Sequence, residues 1–128
     1  MAILIVEDNK ASARFIEIIL QKDEHQTVTA NGAENALEIL ADRTDIELII
    51  SDIVMPGKDG IELIQEIRKN SSWADIPIIM CSCLLDVTTV KKAAKSGCNH
   101  YLIKPIRKDG LLKRVNEALG TETSGEQD

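Results

Sequence analysis

Leu48-Ile49-Ile50-Ser51-Asp52 is an apolar run that ends on a carboxylate, and Pro56-Gly57 followed by Asp59-Gly60 turns the chain into the apolar face Leu63, Ile64, Ile67. Continuous apolar runs of this kind suit strands of a parallel sheet that is covered on both faces. Two other runs end in the same manner. Ala2-Ile3-Leu4-Ile5-Val6 stops at Glu7-Asp8, and Tyr101-Leu102-Ile103 stops at Lys104. Ligands of open α/β sheets bind outside the carboxyl ends of the strands. Three acids and a lysine are therefore expected on one rim, a layout that suits a divalent cation beside a phosphoryl group better than a structural core.

Outward from these runs, strand-like segments alternate with helical patterns, the signature of a sheet built from βαβ units. Asp8-Asn9 can cap a helix whose apolar face is Ala13, Ile16, Ile19 and Leu20. Gln26 to Ala30 reads as a short, half-polar edge strand, followed by an amphipathic helix on Ala33, Ala36, Leu37 and Leu40. Asn70 to Asp75 is a loop containing Trp73, which receives no role, and Pro77 to Met80 is the fourth strand. Asp86 caps a helix marked by Val87, Val90 and Ala94, and Gly97 ends it. Leu111, Leu112, Val115 and Leu119 mark the last helix, and Thr121 to Asp128, without a large apolar residue, is expected to be disordered.

The 128 residues, 44% of them hydrophobic, are enough for one cored domain and too few for two. A net charge of −6 excludes direct nucleic-acid binding through a basic face. With no basic leader and no apolar stretch near the roughly 18 residues of a spanning helix, the chain is read as cytoplasmic and not membrane-inserted. Cys81, Cys83 and Cys98 form no CxxC pattern and are read as buried, reduced thiols.

Four motifs in order carry a resemblance: Val6-Glu7-Asp8, the segment from Asp52 to Gly60, Pro77-Ile78-Ile79-Met80-Cys81-Ser82, and Tyr101-Leu102-Ile103-Lys104-Pro105. Over residues 2 to 119 the chain resembles the receiver domain of bacterial two-component response regulators, of the chemotaxis-regulator type. The resemblance implies an α/β, flavodoxin-like fold, a doubly wound five-stranded parallel sheet of order 2-1-3-4-5 with helices on both faces, as one receiver domain over residues 1–120 and a tail over 121–128. It implies that Asp52 is the phosphoacceptor, that Asp8 ligates Mg²⁺ directly with Glu7 acting through water, and that Asp52 and the backbone carbonyl of Val54 complete the protein's ligands. Mn²⁺ is the alternative ion. Lys104 and Ser82 would contact the phosphoryl oxygens, while Ser82 and Tyr101 would form the switch. The Lys104-Pro105 peptide is commonly cis in the family. The implied partners are a sensor histidine kinase or phosphotransfer protein, a downstream effector that reads the face of the fourth helix, fifth strand and fifth helix, and a second copy of the phosphorylated chain. The chemistry stands without the family. Mg²⁺ takes oxygen ligands from one or two carboxylates plus phosphate, and phosphoryl transfer needs mainly positioning and charge stabilisation.

Plainer structural roles exist for each residue: Glu7-Asp8 as a helix cap, Lys104 as a solvated loop residue, Tyr101 as core, and Lys91, Lys92 and Lys95 as a solvated stripe. Val54 and Leu84 are apolar where many family members carry polar side chains that guide water, so slow self-dephosphorylation is expected. Cys83, larger than the alanine often found there, is expected to narrow donor access. Other functions are an Mg²⁺-dependent phosphohydrolase, whose common pattern wants a second Asp where Val54 stands, and a degenerate receiver, which the intact Asp8, Asp52, Ser82 and Lys104 disfavour. A dinucleotide-binding domain lacks its G-x-G-x-x-G. The expected activity is thus that of a receiver catalysing only its own phosphorylation and dephosphorylation, not of an enzyme.

Overall fold

The computed structural model describes residues 1–84 and 86–120; the expected tail over 121–128 lies outside the described residues. Five strands, β1 (Ala2–Val6), β2 (Gln26–Ala30), β3 (Ile46–Asp52), β4 (Ile78–Ser82) and β5 (His100–Ile103), form one parallel sheet in the order β2-β1-β3-β4-β5. Between and after them run α1 (Lys10–Lys22), α2 (Ala33–Asp42), α3 (Gly60–Lys69), α4 (Val87–Ser96) and α5 (Lys108–Leu119). Fold class, strand order and the two-sided covering match the expectation.

Period-two alternation divides the strands between two cores. Ala2, Leu4, Val6, Ile49, Ile78 and Met80 pack with α2, α3 and Ala93 of α4. Ile3, Ile5, Leu48, Ile50, Ile79 and Cys81 pack with α1 and α5 on the other face. All five side chains of β1 are fully buried, which is why that strand reads as an unbroken apolar run rather than an alternating one. Each fully buried isoleucine or leucine contributes about 1.5–3 kcal/mol relative to exposure. β3 begins at Ile46, earlier than its Leu48 run suggested. The pairing shifts from Ala2↔Ile46 to Ile3↔Leu48, so Glu47 forms a bulge that puts Ile46 and Leu48 on opposite faces although they are two residues apart.

Three of the helices, α1, α3 and α4, start at side-chain caps. Asn9 Oδ1 accepts the Ser12 N–H at 2.9 Å, and Asp59 and Glu62 form a reciprocal capping box at 2.9 Å each way. Asp86 caps α4, and Gly97 ends it with φ +114°. β4 extends past Met80 to Ser82, because Cys81 and Ser82 pair with Leu102 and Ile103.

The expectation of three buried thiols is corrected. Cys81 is buried within β4, Cys98 is half-buried, and Cys83 is exposed because the strand ends one residue before it. Burial pushes the Cys81 thiol up to about 12. Lys91, Lys92 and Lys95 are solvated as expected.

Candidate functional site

Strand register brings the rim together. Val6 lies opposite Ser51, Asp52 opposite Cys81, and Ser82 opposite Ile103. The ladder continues past the strands, since Glu7 N–H donates to Ala30 O at 3.0 Å and Lys104 N–H to Ser82 O at 2.9 Å. Glu7, Asp52, Ser82 and Lys104 are therefore neighbours in space although they come from four strand ends. Gly60 allows the close approach: its N–H donates to Ile53 O at 2.7 Å, and a Cβ there would collide with the Asp52 carbonyl oxygen.

Glu7, Asp8 and Asp52 each offer a carboxylate oxygen, all within 4.8 Å of one another. Lys104 Nζ lies 2.8 Å from Asp52 Oδ2 and 3.0 Å from Glu7 Oε2. The second oxygens are also held, Asp52 Oδ1 by the Ile53 N–H at 2.7 Å and Glu7 Oε1 by the Asn9 N–H at 3.1 Å. Glu7 is buried and Asp52 nearly so, while Asp8 stands in solvent at the mouth. The three carboxylates share one ammonium, which bonds Glu7 and Asp52, so the cluster carries excess negative charge in a partly desolvated place. Its donors are hard oxygens, the set that Mg²⁺ takes, and an ion there would be reached from solvent past Asp8. These residues fit a divalent cation.

Desolvation raises the Glu7 carboxyl above the ordinary range, aided by the charge of Asp52 and opposed by its bonds from Lys104 and Asn9. For Lys104, desolvation works to lower the ammonium's pKa, but the hydrogen bonds and charges of Asp52 and Glu7 together outweigh it and push it up. The lysine is held charged.

Ser82 is buried, and its Oγ accepts the Leu84 N–H at 3.0 Å. Tyr101, half-buried against the α2/α3 core, donates its hydroxyl to the Leu84 carbonyl at 2.9 Å. The expected switch pair is thus joined through both polar ends of one residue's backbone. Burial raises the Tyr101 hydroxyl's pKa. Val54 and Leu84, the expected lifetime residues, are 63% and 36% exposed beside the rim, and Cys83 is exposed with them. The Lys104-Pro105 peptide is cis. Lys104 and Pro105 also border a hollow of about 320 Å³ with Ser12, Phe15, Ile16 and Ile106. Phe15, 48% exposed, does not stand out in the sequence because its neighbours Ile16 and Ile19 supply the buried face of α1.

Similarity to known proteins points the same way. A family model described as the response regulator receiver domain matches residues 3–116. A chemotaxis protein CheY homolog of Campylobacter jejuni is 32% identical over 122 residues, which cover 94% of this chain and 94% of that protein. The two-component response regulator ARR10 of Arabidopsis thaliana is 35% identical over 112 residues, 87% of this chain but 20% of that protein. Among solved structures, chemotaxis protein CheY4 of Vibrio cholerae superposes with a TM-score of 0.87 at 27% identity, covering 93% of this chain and 99% of that one.

Proposed function

Because the chain belongs to the response regulator receiver domain family, a family of signal receivers rather than of enzymes, we propose that it takes a phosphoryl group onto Asp52 and passes the resulting change to a partner protein. The observation that carries this reading is the Asp52 carboxylate bonded to Lys104 at 2.8 Å inside a three-acid cluster. An Asp52 oxygen forms the new O–P bond while the donor's bond to phosphorus breaks, and the leaving group keeps the electron pair. For a histidine kinase or phosphotransfer protein that broken bond is P–N. Lys104 is already aimed at Asp52 and meets the charge on the phosphoryl oxygens, and the Ser82 hydroxyl, now an acceptor for Leu84 N–H, has a proton to donate to one of them. Asp8, Asp52, the Val54 carbonyl and, through water, Glu7 would hold Mg²⁺ or Mn²⁺, which would supply positive charge to offset the crowded carboxylates. A protein donor finds an apolar foothold at Phe15 and Ile106, beside Lys104.

When Ser82 turns to the phosphoryl group it releases the Leu84 N–H, and Tyr101, bonded to the carbonyl of the same residue, is coupled to that release. The α4-β5-α5 face then changes for a downstream effector or a second phosphorylated copy. The domain occupies residues 1–120, and its place of action is the cytoplasm. Among the described residues, no helix is long and apolar enough to cross a membrane.

Val54 and Leu84 cannot orient an attacking water by hydrogen bonding, so the aspartyl phosphate decays slowly. Intact mass after incubation with acetyl phosphate and Mg²⁺ tests the reading. One phosphoryl adduct is expected, lost in Asp52→Asn and with a chelator; steady phosphate release without an adduct would mean a hydrolase. Following the adduct over time tests the lifetime, which Val54→Asn with Leu84→Glu is expected to shorten. Cys83→Ala is expected to accept phosphate faster.

A further inference from the structure

The guanidinium of Arg68, near the end of α3, has an acceptor for each of its five N–H bonds. Nε donates to Gly97 O at 3.1 Å, Nη1 to Ala74 O at 3.0 Å and Ile76 O at 2.7 Å, and Nη2 to Gly97 O at 2.8 Å and Asn99 Oδ1 at 3.1 Å. Every acceptor is uncharged. Asn99 carries the bond network into the sheet: its Oδ1 also accepts the Ile78 N–H and its N–H donates to Ile78 O, each at 2.8 Å. Gly97 is the C-cap of α4, and its left-handed φ of +114° favours glycine. A Cβ on it would also sit 2.8 Å from Arg68 Nε. A single side chain thus ties the end of α3, the approach to β4, the end of α4 and the approach to β5.

The two ends of α4 are held differently. At the C-terminal end, besides Arg68, Gln65 of α3 donates to Ser96 Oγ at 3.3 Å, and Ala93, the one buried residue of the helix, seats it on the core. At the N-terminal end the cap is internal, Asp86 accepting from Thr89 N–H at 2.9 Å and from Thr89 Oγ1 at 2.7 Å, and Val87 is 66% exposed. That looser end follows the segment in which Leu84 is bonded to Ser82 and Tyr101.

We propose that Arg68 is the pivot of α4, fixing its C-terminal end to α3 and the sheet so that the helix moves by swinging its N-terminal end. The functional consequence rests on the receiver reading: a rearrangement at Ser82 then becomes a rotation about Gly97 rather than a sliding of the whole helix. Arg68 does not touch the acidic cluster, so it is a positioning residue for the output face.

Hydrogen exchange by amide along α4 tests the pivot, first without any phosphodonor, so that failure of the receiver reading does not touch the result. Protection is expected to rise from Val90–Lys92 to Ala94–Cys98. Arg68→Lys keeps the charge but has one nitrogen for four acceptors, and it is expected to raise exchange at Cys98, Asn99 and Ile78 by about tenfold and flatten the gradient. Gly97→Ala, which displaces Arg68 by contact, is expected to do the same; the urea midpoint of each variant establishes that it is folded. A flat profile in the wild type, or exchange at those amides within about twofold of wild type in both variants, overturns the pivot. With acetyl phosphate added, the wild-type change is expected to stay in residues 86–92 and to spread to 94–99 in Arg68→Lys. The Asp52 adduct, read by mass in the same samples, reports on the receiver chemistry separately.

Discussion

Lys104 and Arg68 are half-buried cations at opposite ends of the sheet, and they are partnered in opposite ways. Lys104, after β5, faces the carboxylates of Asp52 and Glu7. Arg68, below the start of β4, faces three backbone carbonyls and an amide. The pKa directions follow. The carboxylates overcome desolvation and raise Lys104, whereas for Arg68 desolvation prevails over the charge of Asp75 and lowers it. A compact ammonium among carboxylates can exchange one anionic oxygen for another at little cost in geometry, which is what an incoming phosphoryl group requires. A fork whose five N–H bonds are all held by neutral acceptors, three backbone carbonyls and the Asn99 amide, has nothing to exchange. The first arrangement belongs to chemistry, the second to holding elements in place.

Substitution separates the two. Lys104→Ala removes the donor aimed at Asp52, and the rate of adduct formation from acetyl phosphate is expected to fall by about 10²–10³. Its carboxylates are left with less positive charge, so added Mg²⁺ is expected to raise its urea midpoint by more than it raises that of the wild type. Arg68→Ala should show the converse: a loss of about 2–3 kcal/mol in urea unfolding, with its carbonyls turned over to water, and a phosphorylation rate close to wild type. A slowed rate in Arg68→Ala as large as that in Lys104→Ala would erase the distinction.

The Lys104 end was legible in the sequence and the Arg68 end was not, for a physical reason. Glu7, Asp8, Asp52 and Lys104 are residue types whose chemistry shows in a letter, and each stands one step from an apolar run whose end is easy to find. The partners of Arg68 are mostly backbone carbonyls, which every residue carries, so no pattern marks them in advance. Strand pairing hid other features. Cys83 is exposed because β4 ends at Ser82, a limit set by pairing with Ile103. The bulge at Glu47 likewise depends on how β3 meets β1 rather than on β3 alone. The link from Ser82 through Leu84 to Tyr101 again runs over backbone atoms, although both side chains lie in the motifs that carry the resemblance.

The smallest expected effect sharpens the account of the charged end. Glu7 is raised chiefly by burial, so without a metal the folded protein holds a proton there at a pH where the unfolded chain has released it. As pH rises from the ordinary carboxylate range through the raised value, the folded state therefore loses stability, and below that range the loss is absent. Glu7→Gln has no such step. In a chelator, urea unfolding between about pH 4 and pH 7 is expected to show the variant gaining on the wild type as pH rises. Added Mg²⁺ is expected to reverse the order near neutrality, because the ion favours the ionised carboxylate that the amide cannot supply. Parallel pH profiles in the chelator would mean that the Lys104 bond at 3.0 Å compensates the burial of Glu7 in full. In that case the lysine, rather than the cation, would be what keeps the first strand's acid ionised.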